Sequence, residues 1–349
     1  MAGHTLQAFL KSGSFAAEPY CEAVSATITA LARASVEVQE LTSQGALNLA
    51  YAASRKTANT DGDVQVELDV LADGIFLRAV KDQPVAVYAS EENKHAILFD
   101  PTRPLALAID PLDGSSNVET NLAIGTIFSI MSSDGLRADN PDTACLQPGR
   151  NQIAAGFFIY GPQLALVLTV GTGTRIFIYS ARNKDFVESY DFVSIPPNAT
   201  EFAVNASNYR HWEEPVRLYV DDCLAGTEGP REKDFNMRWN ASLVAECYRI
   251  LIRGGVFLYP ADGRKGYSSG RLRLIYEANP IAFIIEDAGG KATDAVNRIL
   301  DIKPGKLHER VPLVFGSGAE VDRISRYHTD PSLISERSPL FGNRGLFRA

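Results

Sequence analysis

Residues 105–117 read LALAIDPLDGSSN, placing two carboxylates and two hydroxyls within the seven residues from Asp110 to Ser116. The apolar run 105–109 predicts a buried strand that delivers Asp110 to its C-terminal end, where ligands bind in α/β sheets. Pro111 and Gly114 predict a turn that brings Asp110 and Asp113 together. Adjacent carboxylates repel unless a cation lies between them. Hard oxygen donors with no His or Cys beside them suit Mg2+ or Mn2+ rather than Zn2+. The amides near Gly114, Ser115 and Ser116 would converge on an anion. The stretch reads as a divalent metal placed beside a phosphate.

Other acids stand where elements end. Val64, Val66 and Leu68 alternate as in a strand, with Asp69 directly after them and a helical pattern from Val70 to Val80. Asp69 could be a helix cap alone. Residues 85–89 predict a strand ending in Ser90-Glu91-Glu92; paired glutamates are commonly a solvated surface feature. Strands are expected at 96–100 and 105–109. Carboxylates converging from several strand ends favour a metal cluster over surface charge. Residues 271–276 alternate basic or aromatic with apolar, predicting a half-buried strand with Glu277 at its end. Asn279 and Pro280 then suit the start of a helix over 281–288, closed by Gly289-Gly290. Glu277 is a cap or a further ligand, and the company of the other acids favours the ligand.

The elements that must hold these groups fill a chain of 349 residues with 45% apolar side chains, enough for two domains or one large one. Helices are expected from Cys21 to about Ala53, broken near Gly45, with a loosely structured or short helical segment before them. A strand over 125–132 is followed by a polar loop, by strands 153–160 and 164–170 joined through Gly161-Pro162, and by a strand at 175–179. Pro196-Pro197 predicts a boundary between domains 1–196 and 197–349. Beyond it, residues 221–235 read as loop and residues 237–252 as a helix with Arg238 and Trp239 at its start. Residues 255–260 read as a strand, 261–270 as a loop, and the last twenty residues as a surface tail.

The net charge of −8 without a long basic run argues against nucleic acid or an anionic membrane as the main partner. Cys21, Cys145, Cys223 and Cys247 have neither disulfide-framework nor metal spacing, as expected of thiols in a reducing cytosol. No apolar run spans a membrane and no signal peptide is recognisable, predicting a soluble cytoplasmic protein.

LALAIDPLDGSSNVETNLAIGTIFSI, preceded by YASEEN and followed by GGVFLYP and GRLRLIYEANPIAFIIEDAGG, closely resembles class I fructose-1,6-bisphosphatase over roughly residues 20–330. The resemblance implies a layered α/β/α/β/α fold of two α/β domains with mixed sheets, assembled as a homotetramer. It implies two or three Mg2+ (Mn2+ in their place) held by Glu91, Asp110, Asp113, Glu277 and the Leu112 carbonyl. Glu92, which borders the metals, and Asp69 would deprotonate the attacking water, with Asp63 in the same proton network. Asp113, Gly114, Ser115 and Ser116 would cradle the 1-phosphate. Asn205, Tyr209 and Tyr259 would hold the 6-phosphate, and Arg238 matches an arginine that reaches in from a neighbouring subunit. Two departures fall in that site: Trp239 replaces a common Tyr, and Arg271 a common Lys, exchanging a point charge for a planar fork.

A regulatory departure is larger. AMP-inhibited relatives carry a GTGELT-like segment before the first long helix, where this chain has SGSFAAEPY. A Lys-Tyr pair is replaced by Pro104-Leu105, and an Arg after the next strand by Ser132 or a neighbour, so weak or absent AMP inhibition is expected. The segment 133–150 has only Cys145, so the disulfide-regulated loop of chloroplast relatives is not expected. The segments EGPREKDFNMRW and PLFGNRGLF resemble bacterial members from carbon-fixing organisms, some of which also accept sedoheptulose 1,7-bisphosphate. The expected reaction is Mg2+-dependent release of the 1-phosphate of fructose 1,6-bisphosphate, in gluconeogenesis or the Calvin cycle. The shorter DPLDGSS core also resembles the inositol monophosphatase superfamily. A monoesterase of that kind and a non-catalytic sugar-phosphate sensor are the competing readings. The features for a second phosphate weigh against the first, and the complete carboxylate set against the second.

Overall fold

The computed structural model describes residues 4–13, 19–44 and 63–330, with side chains of the last segment described from residue 68. The expected break at Gly45 and the expected tail lie outside the described residues. Helix α1 (Leu6–Lys11) is followed by α2 (Cys21–Ser43) and α3 (Asp63–Val80). Eight strands then form one sheet: β1 (Val85–Ser90), β2 (Ile97–Leu98), β3 (Leu105–Asp113), β4 (Ile124–Ser132), β5 (Gln152–Tyr160), β6 (Leu164–Thr169), β7 (Arg175–Ser180) and β8 (Asp185–Tyr190). Their order is β2-β1-β3-β4-β5-β6-β7-β8, with β1 and β3 parallel and the other neighbours antiparallel.

The second half contributes β9 (Glu201–Ala203), α4 (Glu214–Leu224), β10 (Asn236–Met237), α5 (Leu243–Arg253) and β11 (Val256–Tyr259). It continues with β12 (Leu272–Arg273), a π-helical turn (Leu274–Ala278), α6 (Asn279–Asp287), β13 (Lys291–Thr293), β14 (Arg310–Val311), β15 (Leu313–Gly316) and α7 (Gly318–Thr329). A five-stranded sheet runs β10-β9-β11-β15-β13, and β12 pairs with β14.

Strand alternation stacks these elements. In β6, Leu164, Leu166 and Leu168 face α1–α3, in one core with Ile28, Leu31 and Phe76. Ala165 and Val167 face the opposite way, toward Leu243 and Ile250 of α5 and Ile281 and Ile285 of α6. Phe257 and Phe315 of the second sheet close that same core from below, while Val256, Leu258 and Val314 face Val216 and Tyr219 of α4 and Ile324 of α7. The layers are therefore helices, sheet, helices, sheet, helices. Strands apolar on both faces follow from burial between two helix layers.

Several local expectations are corrected. Residues 64–68 are helical: Leu68, Ala72, Ile75, Phe76 and Val80 make one buried face at helical spacing, which outweighs the short alternation before them. The helix expected from Met237 starts at Leu243, because the Ser242 side chain caps it by accepting from Ala245 N (3.3 Å). Met237 itself lies in edge strand β10 and Arg238 follows it. The strand expected at 271–276 is only β12, and Glu277 sits in the π turn. Asn279 lies inside the helix rather than capping it. The strand at 96–100 shrinks to β2, helix α4 takes residues 221–224 from the expected loop, and β8 is an additional strand.

Candidate active site

Strand β3 runs through the expected turn. Register passes from Asp110 opposite Ile127 to Asp113 opposite Gly125, so Pro111-Leu112 forms a bulge holding one residue more than β4 offers. The Pro111 carbonyl accepts from Thr126 Oγ1 at 2.8 Å, and Leu112 N donates to Asp110 Oδ1 at 3.1 Å. A bulge puts both aspartates on the same rim where a regular strand would separate them. The chain turns only at Gly114, whose φ of 74° is left-handed, and enters a short 3-10 turn, Ser115–Asn117.

Two elements from the second half close on this rim. Val244 N, at the N-terminus of α5, donates to Asp113 Oδ2 at 3.2 Å. Gly125 makes room for that helix: a Cβ there would lie 2.6 Å from Val244 and 2.4 Å from the Phe158 carbonyl. The π turn brings Glu277, whose Oε2 accepts from Arg273 N at 2.6 Å. It can approach because β3 shows Ala106 and Ala108 on that face, packed with Ile275 and Tyr276. Asp110, Asp113 and Glu277 thereby present carboxylate oxygens within 4.8 Å of one another, all three buried.

Four neighbouring acids border this cluster or each other. Glu91 follows β1, its amide on the Ile109 carbonyl (3.0 Å) and its Oε1 paired with the Arg273 guanidinium; among the described residues its buried Oε2 has no hydrogen-bond partner. Asp69 accepts from Ser115 Oγ at 3.2 Å through Oδ2, while its buried Oδ1 has no partner among the described residues. Asp73, one helical turn on, accepts from Tyr88 Oη (2.7 Å) and Asn93 Nδ2 (3.2 Å). Burial, reinforced by Glu92 and Glu91, raises Asp69 to about 7. Glu92 is raised by burial, Glu91 and Asp73. Burial first and Glu91 second push Asp110 and Glu277 well above the carboxylate range, and burial raises Asp113 against the opposing amide of Val244. Acids packed this way hold protons unless a cation replaces them. Oxygen-only donors together with the orphaned Glu91 Oε2 fit Mg2+ or Mn2+.

A second polar cavity lies where β9 and β11 end. Asn205, Asn208, Tyr259, Asp262 and Arg271 line it, with Trp212 as an apolar wall. Trp239 stacks on Phe257 (5.9 Å between centroids) and lies against Tyr259 (6.1 Å). The segment 271–277 links this cavity to the carboxylate cluster.

The sequence-predicted residues therefore fall into groups. Asp110, Leu112, Asp113, Gly114, Ser115 and Glu277 share the rim, with Asp69, Glu91 and Glu92 beside it and Ser116 exposed on the turn. Asn205, Tyr259 and Arg271 share the distal cavity. Tyr209 does not line it: its hydroxyl donates to Asp221 (2.9 Å) at the surface. Arg238 is half exposed, held by backbone pairing to Phe202 and by Glu201, whose carboxylate also binds Arg249 and Arg253. The side chain of Asp63 lies outside the described residues. Sequence reasoning passed over Arg273, Asp73 and the amide of Val244. Asp73 is four residues after Asp69, the spacing of one helix face, and Arg273 shares strand parity with Arg271; both are readable signals. The Val244 contact spans sheet and helix and leaves none.

Comparison with known proteins covers both halves. Residues 22–191 match the family model described as fructose-1-6-bisphosphatase, N-terminal domain, and residues 195–329 its C-terminal domain. The chain is 61% identical to the class 1 fructose-1,6-bisphosphatase of Rhizobium meliloti (strain 1021), over 100% of both chains. It is 50% identical to that of Rhodopseudomonas palustris (strain TIE-1), over 99% of each. Among solved structures it is similar to Leishmania major fructose-1,6-bisphosphatase in holo form, with a TM-score of 0.81 and 28% identity over 93% of this chain and 99% of that one. With identity extending along the whole length and both domain models matched, the chain belongs to the class 1 fructose-1,6-bisphosphatase family.

Proposed function

We propose that the protein hydrolyses the 1-phosphate of fructose 1,6-bisphosphate, yielding fructose 6-phosphate and phosphate. The observation that carries this reading is the buried cluster Asp110–Asp113–Glu277, joined through residues 271–277 to a polar cavity containing an arginine. One site suits a metal and the reacting phosphoryl group, the other a second anion.

Asp110, Asp113, Glu277, Glu91 and the Leu112 carbonyl would hold Mg2+, two or three ions per subunit, with Glu92 at their border. When bound there, such ions would neutralise phosphoryl charge, make a water more acidic and stabilise the leaving alkoxide. The remaining work falls to the chain. Asp69, one of whose buried oxygens has no partner among the described residues and whose pKa is raised to about 7, would take the water's proton together with Glu92, with Asp63 in the same proton network. Gly114, Ser115 and Ser116 would cradle the 1-phosphate with their amides. Asn205, Tyr259 and Arg271 would hold the 6-phosphate, joined by Tyr209 once its hydroxyl leaves Asp221. Arg238, presented at the surface by Glu201, would reach a neighbouring subunit's substrate in a homotetramer.

The same reading has domains 1–196 and 197–349 meeting at the site, a cytoplasmic location, and weak or absent AMP inhibition. Among the described residues no helix is long and apolar enough to cross a membrane. Tyr20 Oη lies 3.2 Å from both Ser132 Oγ and Asp134 Oδ2. An acid there disfavours a nucleotide phosphate, in support of AMP insensitivity. Micromolar AMP inhibiting the purified enzyme would overturn that part.

Phosphate release with Mg2+ across fructose 1,6-bisphosphate, sedoheptulose 1,7-bisphosphate and inositol 1-phosphate tests the whole. The first is expected to turn over, and the second measures tolerance for a longer sugar. Turnover of inositol 1-phosphate alone would favour a monoesterase. Metal binding with silence on all three would favour a sensor.

A further inference from the structure

Arg271 leaves the rim of the distal cavity on an exposed side chain, and among the described residues no carboxylate pairs with it. It rests instead against rings. Its Cζ lies 4.7 Å from the Tyr267 centroid and 5.8 Å from that of Tyr259. Tyr267 also carries Arg264, whose Cζ is 4.6 Å from the same centroid. Arg264 is fixed in turn by a forked pair to Asp262, Nε to Oδ1 at 2.9 Å and Nη2 to Oδ2 at 2.5 Å. Asp262 is buried, so an acid lining the cavity already has its counter-charge.

The loop between them folds as a unit. Asp262 N donates to the Tyr267 carbonyl (3.2 Å), Tyr267 N to the Arg264 carbonyl (3.0 Å) and Gly270 N to the Tyr267 carbonyl (3.0 Å). Gly263 N ties the loop to the His211 carbonyl at 3.2 Å. The Tyr267 backbone is thereby fixed by the loop, independently of Arg271, and presents the ring beside both arginines.

We propose that Tyr267 is the positioning residue for Arg271. Its ring restrains the guanidinium beside Tyr259, so that the fork is already aimed at the distal phosphate before substrate arrives. Asp262 serves the same end by occupying Arg264, which leaves one arginine rather than two to meet the anion. A flexible exposed arginine loses rotamer freedom on binding, and restraint in advance lowers that cost. The proposal rests on the reading of this cavity as the site of the second phosphate.

Steady-state kinetics at saturating Mg2+ with fructose 1,6-bisphosphate test it. Tyr267→Leu is expected to raise KM about threefold to tenfold, the range of a partly exposed cation–π contact, with kcat within about twofold. Tyr267→Phe keeps the ring and should restore most of the lost affinity. In an Arg271→Gln background, Tyr267→Leu should add almost nothing, because its effect runs through Arg271. Equal effects in both backgrounds, or Tyr267→Phe failing as badly as Tyr267→Leu, would overturn the assignment. Arg271→Gln raising KM while Tyr267→Leu does not would also sink it and leave the cavity reading standing. An unmoved KM in Arg271→Gln itself would remove the cavity reading and the proposal together. Circular dichroism melts separate these effects from loss of fold.

Discussion

The carboxylate rim and the distal cavity are neighbours along residues 271–277, yet they are built on opposite plans. The rim hangs on the two-sided core of an eight-stranded sheet, where a bulge, a helix N-terminus and a π turn each fix one acid. The cavity hangs on loop 262–270 and strand ends, and its cation is exposed and ring-restrained. Chemistry that depends on sub-ångström placement sits on the rigid element. Recognition of a distant group tolerates the softer one. Rim substitutions should therefore act on kcat or on the fold, and cavity substitutions on KM.

The largest effect is expected at Asp113→Ala, which removes a proposed ligand while leaving the strand paired. Turnover should fall by about a thousandfold or more, since metal charge stabilisation is worth several kcal/mol. Isothermal titration with Mg2+ should show weakened binding. Activity within tenfold of the parent would mean that Asp113 does not hold the metal.

Asp69→Asn follows, with kcat expected to drop by about a hundredfold or more as a general base is lost. Its pH profile sharpens the test. Asp69 must be ionised to accept a proton, so the parent should gain activity as pH rises over an acidic limb that bound Mg2+ sets below the metal-free value of about 7, and the variant should lose that limb. Stability runs the other way. Burial raises Asp69 to about 7, whereas an unfolded aspartate titrates near ~4. Between those values the folded chain retains a proton that the unfolded chain has released. The stabilising contribution is complete below the lower value and is lost as pH rises through the upper one. Asp110, Asp113 and Glu277 shift in the same direction for the same cause. Metal-free protein should therefore melt lower at pH 8 than at pH 5, and Mg2+ should narrow the gap. A metal-free melting temperature that rises over that range would contradict the burial of these acids.

How legible these two regions were differs as well. The rim acids could be read because Asp69, Glu91, Asp110 and Glu277 each stand where an apolar run ends, and a carboxylate at the edge of a core is costly unless it is used. What could not be read was the device that gathers them. Pro111 and Gly114 signalled a turn at once, but Pro111 sits in a bulge and the strand continues to Asp113. Likewise, the alternation of 271–276 gave no hint of the π turn that packs Ile275 and Tyr276 against Ala106 and Ala108. In helix α3, Val64, Val66 and Leu68 suit either period until Phe76 and Val80 are included. In the cavity, Asn205 and Tyr259 were found through family motifs. Tyr267 was invisible, because a tyrosine in a Gly/Ser loop carries no periodic signal at all.

Gly125→Ala tests the packing that joins the two halves. The new methyl would meet the Phe158 carbonyl and Val244, so α5 must retreat from Asp113. Overpacking of this kind costs about 1–3 kcal/mol, and kcat should fall together with melting temperature. Full activity with normal stability would show that the Val244 amide is not needed to orient Asp113.

The smallest effect is expected at Tyr209→Phe. The family resemblance places this tyrosine among the ligands of the second phosphate, while its hydroxyl is found on Asp221 at 2.9 Å and 3.0 Å, in solvent. To serve the substrate it must exchange one charge-assisted hydrogen bond for another, and such an exchange nets about 0.5–1 kcal/mol at most. KM should therefore rise by no more than about fivefold, less than for Arg271→Gln, with kcat unchanged. Asp221→Asn weakens the competing acceptor without touching the cavity, so it should leave KM unchanged or lower it slightly if Tyr209 turns inward. A rise in KM on Asp221→Asn would instead mean that the Tyr209–Asp221 bond is what holds the 3-10 turn Ala206–His211, and Asn205 at its start, in shape. Tyr209 would then belong to the frame of the cavity and not to its lining.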